Sequence, residues 1–217
     1  MNARGTADKK FMISKYLLGC AAVSAVLYGW GCSSVGGDVQ AGRNALQTAR
    51  PSDAVAYLAR AAAADPDYRL PYTVAPGVLA LLGRAYVETG RDREARQTLE
   101  RAVNVDKDDP FAHLYLGIAM LKTGDPERGR KEIDLGLKLI DDTLEYFAED
   151  RVYGMFWDPA MQIRNDLRQT SAGKLDDTQL AAAAARIGRE FDEEIDKARR
   201  DQARGRGGSD SSGGGGN

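Results

Sequence analysis

Apolar positions between residues 76 and 143 fall at steps of three and four, then recur at a fixed interval. Leu79, Leu82, Gly83 and Tyr86 form one helical face, and Ala95, Leu99, Ala102 and Val103 form the next. Gly83 recurs as Gly117, Gly90 as Gly124, Leu82 as Leu116, Leu99 as Ile133 and Pro76 as Pro110, each pair 34 residues apart. A period of that length predicts stacked helix-turn-helix units, here 76–109 and 110–143. Gly90 suits the left-handed turn that ends a helix. Asp92 is expected to cap the following helix, and Asp109-Pro110 and Asp125-Pro126 each read as an N-cap followed by proline in the first turn. Gly129 and Gly136 fall inside a predicted helix, where each costs about 1 kcal/mol relative to alanine. Their presence predicts a tightly packed neighbour.

A weaker copy lies upstream. Ala54, Leu58, Ala61 and Asp65-Pro66 precede Ala95, Leu99, Ala102 and Asp106-Lys107 by 41 residues, the period plus a seven-residue insertion. Gly42 and Ala45 align with Gly83 and Tyr86 at the same offset. A first unit therefore spans 35–68, with 69–75 as an added loop. Three units are about the minimum at which neighbours bury a continuous core.

The pattern L-x-x-L-G-x-x-Y…G…A-x-x-x-L-x-x-A resembles the tetratricopeptide repeat. Leu79 stands at the family's first large position, and Lys107 replaces its closing proline. The next unit has His113 and Met120 where the family prefers Trp and Tyr, and Gly129 and Gly136 where it prefers Ala. The resemblance implies an all-α solenoid that binds protein or peptide segments along the face of its first helices. Carried over position by position, that face comprises Arg43 and Leu46 in the first repeat and Arg84, Val87 and Glu88 in the second. In the third it comprises Phe111, Leu114, Ile118, Leu121 and Lys122. The third set is apolar enough to mark a binding site if exposed. Two occupants are open: a partner segment, or the C-terminal part of this chain.

Residues 142–150 are expected to continue the last repeat helix. An aromatic cluster follows: Tyr146, Phe147, Tyr153, Phe156 and Trp157. Solenoids need their last apolar face covered, so segment 144–170 reads as capping helices, and a partner-binding patch is the sharper alternative. Asp158-Pro159 is expected to open a helix with Met161, Ile163 and Leu167 on its apolar side. Segment 175–204 predicts a long amphipathic helix with the stripe Leu180, Ala184, Ile187, Phe191, Ile195 and Ala198. That stripe is narrow, so the helix should pack by one face; a coiled-coil seam would need a longer run. The Gly/Ser-rich segment 205–217 reads as disordered.

The N-terminus has a basic region, the apolar run 16–30 and then Gly31-Cys32-Ser33-Ser34, the order of a signal peptide. The run is shorter than the roughly 18–20 residues expected of a spanning helix. A cysteine after such a run resembles the acylated cysteine of bacterial lipoproteins, which points to lipidation at Cys32, although Gly29 stands where that family prefers Leu. Leu17-Leu18-Gly19-Cys20 matches that motif better locally but leaves almost no apolar run after Lys15. The alternative is an uncleaved helix anchor over 11–30. Both place the solenoid (38–143) outside the cytoplasm, tethered by 32–37 to a membrane. By resemblance, Ser33 rather than Asp after the cysteine favours the outer membrane.

Segment 1–31 carries four basic residues and one acidic. Taking these from the totals of 30 and 32 leaves 26 basic and 31 acidic residues, a net of −5. This is not the footprint of a nucleic-acid binder. Both cysteines, Cys20 and Cys32, precede the repeats, so no disulfide framework or cysteine metal site is expected in the fold. The single histidine, His113, occupies a packing position. No phosphate loop, H-E-x-x-H or G-x-S-x-G motif occurs. The acidic pairs lie at turns, where capping explains them. The sequence therefore predicts a membrane-anchored, non-enzymatic interaction module of the bacterial envelope, without cofactor. A self-assembling structural protein using the C-terminal helix is one alternative, and an enzyme with an unrecognised site is another. Oligomeric state is not readable.

Overall fold

The computed structural model of the protein describes residues 34–72, 74–149 and 157–209, with side chains as far as Arg200. Among them the chain forms α1 (Val35–Gln47), α2 (Pro51–Ala64), α3 (Val78–Glu88), α4 (Asp92–Val105), α5 (Pro110–Lys122), α6 (Pro126–Ala148), α7 (Gln162–Ala172) and α8 (Asp177–Ser209). The fold is all-α. One isolated antiparallel bridge, Arg69 to Gly77, closes the loop inserted between α2 and α3. The predicted signal or anchor segment, Cys32, Tyr153, Phe156 and residues 210–217 lie outside the described residues. No helix among the described residues is long and apolar enough to cross a membrane.

Successive pairs, α1 with α2, α3 with α4 and α5 with α6, stack into a short solenoid. One close approach recurs in each pair. A Cβ on Gly42 would lie 2.5 Å from Leu58 Cγ, on Gly83 2.3 Å from Leu99 Cγ, and on Gly117 2.6 Å from Ile133 Cγ1. The glycine is the hole and the branched side chain the knob. The third pair approaches more closely still: a Cβ on Gly136 would lie 2.6 Å from the Leu114 backbone nitrogen. Gly129 meets the backbone of Gly117 in the same way. The two interior glycines thus answer to one neighbour, α5. That helix is apolar around its whole circumference and is buried from Pro110 to Met120, as such a helix must be.

The turns between paired helices share one backbone device. Gly90 and Gly124 adopt φ of 73° and 88°. The first repeat places Ala49 there, at φ 54°.

Several boundaries differ from those expected. Residues 35–37 are the first turn of α1 rather than part of a tether; Gly36 lies against the Tyr68 ring, and a Cβ there would approach its hydroxyl to 2.5 Å. Asp109 caps α5 as expected, its Oδ1 accepting from the backbone N–H of Phe111 at 2.9 Å and of Ala112 at 3.2 Å. Asp92 and Asp125 make no such bond. Asp92 is the first residue of α4, with Arg91 at the cap position, and its carboxylate faces Lys122 at 3.3 Å; Asp125 holds the cap position of α6, but its carboxylate faces Arg96 at 3.2 Å. Helix α7 begins at Gln162, not directly after Asp158-Pro159. Asp158 turns into the left-handed region at φ 45°, and its buried carboxylate accepts from the N–H of Ile163 and Arg164. Met161 is therefore a turn residue, 46% exposed, while Ile163 and Leu167 are buried. Helix α8 runs through 205–209, where the Gly/Ser-rich composition predicts the start of a disordered tail.

The solenoid end is covered from within the chain. Trp157, 4% exposed, stacks on Phe147 with ring centroids 4.3 Å apart and planes 7° apart. Tyr146 meets Phe147 edge-on at 5.3 Å but remains exposed.

Candidate functional site

The repeat face made by α1, α3 and α5 is not open. Arg43, Leu46, Arg84, Val87, Phe111, Leu114 and Ile118 are all buried, Glu88 and Leu121 half-buried, and Lys122 exposed. Of the two occupants left open by the sequence, the chain's own C-terminal segment covers most of this face. Helix α8 lies along it with Leu180, Ala184, Ile187, Phe191, Ile195 and Ala198 inward. Phe191 stacks on Phe111 with centroids 5.5 Å apart. Gly188 lets the two helices touch: a Cβ there would lie 2.8 Å from Leu114 Cδ2 and 2.9 Å from the Tyr115 hydroxyl.

A polar cluster crosses this interface. Arg43 and Arg84 hold equivalent positions in repeats one and two, 41 residues apart like Gly42 and Gly83. Both are essentially unexposed, and both reach one carboxylate, Asp192. Arg43 Nε donates to Asp192 Oδ1 at 2.7 Å and Arg84 Nη1 to Asp192 Oδ2 at 3.0 Å. Arg43 also donates to the Asp192 carbonyl, to Asp196 at 2.6 Å and to the Tyr72 hydroxyl at 2.9 Å. Gln47 donates to the other Asp196 oxygen at 2.8 Å. The inserted loop thus has a task, since it carries Tyr72 onto the cluster, where Arg199 lies over its ring at 3.8 Å.

The electrostatics follow from burial and pairing together. Burial works to lower the pKa of Arg84, but Tyr115, Asp192 and Glu88 outweigh it and hold the guanidinium charged. Arg43 behaves alike beside Asp192, Tyr72 and Asp196. Burial pushes the Tyr115 hydroxyl up to about 12. Burial also works to raise Asp196, but hydrogen bonds from Gln47 and Arg43 hold it below the usual carboxylate range. The cluster binds charge; these shifted groups all move away from proton exchange near neutrality.

His113 lies elsewhere. It is buried between repeat helices, with Nδ1 2.7 Å from Glu132 Oε2 and Nε2 2.8 Å from the Lys107 carbonyl oxygen. Among the described residues no group of three or more His, Cys, Asp or Glu could hold a metal ion.

Part of the repeat face stays open. Between the inward Leu180 and Ile187, α8 carries the run Ala181–Ala185, which cannot fill the groove. A cleft of about 530 Å³ remains, walled by Val87, Ile118 and Leu121 on one side and Ala181, Ala182 and Ala185 on the other, with Glu88, Lys122, Asp177 and Thr178 at its edge. Five of the ten residues assigned to the repeat face line this cleft. Asp192, Asp196, Gly188, Tyr72 and Gln47 do not stand out in the sequence. The available signal was the pairing of Arg43 with Arg84 at groove positions, together with an aspartate beside the apolar stripe of α8.

Residues 45–113 match the family model of the tetratricopeptide repeat, from within α1 to the first turn of α5. No curated protein matches the chain. With three stacked helix pairs, a recurring glycine-to-branched-residue contact and that match, the chain contains tetratricopeptide repeats, a repeat type that generally serves as a protein–protein interaction module.

Proposed function

We propose that this chain is a membrane-anchored, non-enzymatic scaffold or adaptor of the bacterial cell envelope, which docks an apolar segment of a partner protein in the cleft between α3, α5 and the alanine run of α8. The observation that carries this reading is the cleft itself: about 530 Å³, apolar-walled and rimmed by charges of both signs. Small-molecule and peptide sites have this composition, apolar walls with a few polar groups that fix orientation. The anchor rests on the N-terminal sequence: a basic region, a short apolar run and Cys32 followed by Ser33, read as an acylated cysteine in the outer membrane.

The test uses the full chain expressed in a bacterial host with a clickable fatty acid. Label that disappears in Cys32→Ala supports the lipid anchor; an unlabelled but membrane-bound chain with its N-terminus intact points to the helix anchor instead. Crosslinking in envelope fractions then compares wild type with Leu121→Asp. Leu121 is half-buried, so the variant should fold while losing the captured partner. Identical capture by both proteins would exclude the cleft.

A further inference from the structure

Without α8, the repeat face would present two cations to an apolar groove. Among the described residues, the solenoid itself gives Arg84 the Glu88 carboxylate and the Tyr115 ring, and gives Arg43 the Tyr72 hydroxyl and ring. The carboxylates that Arg43 uses, Asp192 and Asp196, both come from α8. A buried charge left unpaired is strongly unfavourable, whereas a buried pair adds little net stability over apolar packing. Such a cluster therefore acts as a selector: it accepts a helix carrying carboxylates at the right register and rejects one without. The apolar neighbours on α5 add that the face must always be covered, since that helix has no polar side to turn outward.

Helix α8 satisfies these demands with a compact pattern. Gly188, Phe191, Asp192, Ile195 and Asp196 fall on one side as G-x-x-F-D-x-x-I-D. The glycine admits close approach to Leu114 and Tyr115, the phenylalanine stacks on Phe111, and the aspartates meet the arginines. The connection to α7, residues 173–176, is largely exposed and is tied to the repeats through Arg130, which donates to the Leu175 carbonyl at 3.1 Å and pairs with Asp177; α8 leaves by breaking these surface bonds without opening a helix pair.

We infer that the α1–α3–α5 face is a receptor for acidic, aromatic-bearing amphipathic helices, that α8 is its occupant in cis, and that a partner segment with the same spacing exchanges with it. This rests on the reading of the chain as a protein-docking module and names the partner's chemistry. The two aspartates of the incoming helix replace Asp192 and Asp196, and its aromatic ring replaces Phe191.

The probe is a fluorescein-labelled peptide of residues 177–204, titrated against the full chain in detergent and read by anisotropy. The tethered helix competes at an effective concentration on the order of millimolar, so wild type should bind weakly and an Asp192→Ala/Asp196→Ala chain about tenfold tighter or more. The peptide carrying the same two substitutions should bind neither. A folded double variant that fails to bind the native peptide would overturn the inference, leaving α8 as permanent core. If the double variant does not fold, Asp196→Ala alone serves, because that side chain is 17% exposed. Hydrogen exchange on wild type gives an independent reading: α8 amides should exchange as a unit ahead of α3–α5, and equal protection would count against exchange. A chain that light scattering shows to be dimeric through swapped α8 helices would assign the face to a second copy and overturn the partner reading. Loss of peptide exchange with capture at the Leu121 cleft retained removes this inference alone.

Discussion

Asp192 lies between Arg43 and Arg84, and its Oδ2 accepts from Arg84 Nη1 at 3.0 Å across 108 positions of sequence. Neither side chain is more than 2% exposed. Breaking one member of a buried pair costs about 3–5 kcal/mol, because the remaining charge stays buried without a counter-ion. Here one aspartate serves two arginines, so Asp192→Ala should fall at the upper end. Urea denaturation is the measurement. Arg84→Met in the same background should recover part of the loss, since it removes an orphaned cation. A loss below about 1 kcal/mol, the range of exposed pairs, would mean the cluster is hydrated in solution.

Asp196 sets a pH dependence. Burial alone would raise its pKa, but hydrogen bonds from Gln47 and Arg43 and the charge of Arg43 hold the folded-state value below the usual one. A carboxylate depressed in the folded state adds stability that is fully present above its unfolded pKa, about 3.9. That stability is lost as pH falls from there through the folded value. Melting temperature should therefore decline below about pH 4, and the near-ultraviolet signal of the stacked Phe111 and Phe191 rings should fade early. In Asp196→Asn this slope should be shallower, and an unchanged slope would remove Asp196 as its source.

What the sequence revealed, and what it hid, divide along a physical line. The 34-residue period was legible because Gly83 and Gly117 each receive a branched residue sixteen positions later, and such local packing leaves a regular trace. The apolar stripe of α8 was equally legible. Its seat was not, because a stripe says that a face is covered and is silent about what covers it. Asp192 stands among Glu190, Glu193 and Glu194 and reads as part of a solvated face; its bonds with Arg43 and Arg84, 149 and 108 positions away, distinguish it. The caps failed for a related reason. Asp125 has the residue type and position of a cap, but Arg96 reaches it from α4; Asp92 has the residue type, but α4 starts one residue earlier than a cap there requires, with Arg91 at the cap position. Tyr72 sits in an insertion, where the repeat pattern has no counterpart to compare.

The three inter-helix turns form a natural experiment on backbone strain. Gly90 takes φ of 73° with nothing within 4 Å of a Cβ placed on it. Gly90→Ala therefore measures conformation without packing, and should cost about 0.5 kcal/mol, the left-handed strain less the entropy the unfolded chain loses with alanine. Ala49 already bears that strain at φ 54° and is exposed. Ala49→Gly relieves roughly 1–2 kcal/mol of left-handed strain and adds about 0.4–1 kcal/mol of unfolded-chain entropy. The net gain should be about 0.5 kcal/mol, read as a higher urea midpoint at constant slope. Gly83→Ala acts through packing instead, because its Cβ would lie 2.3 Å from Leu99 Cγ. It should cost about 1–3 kcal/mol, and a smaller residue at position 99, as in Leu99→Val, should restore part of it.

Trp157 tests whether the end of the solenoid needs its cover. The indole is 4% exposed and stacks on Phe147 at 4.3 Å, on the last turns of α6. The turn that follows fixes α7, since Asp158 caps that helix and its backbone N–H donates to Glu194 of α8 at 2.7 Å. One ring thus joins α6 to the segment from which α7 and α8 depart. Trp157→Ala should cost about 3–5 kcal/mol as a buried aromatic truncation. The loss should be uneven: hydrogen exchange in α7 and α8 should rise first, while α3–α5 keep their protection. Trp157→Phe, which keeps a ring for Phe147, should recover most of it. Uniform loss of protection across all helices would mean that the cover and the repeats unfold as one unit. In that case α8 could not leave its groove while the repeats stay folded.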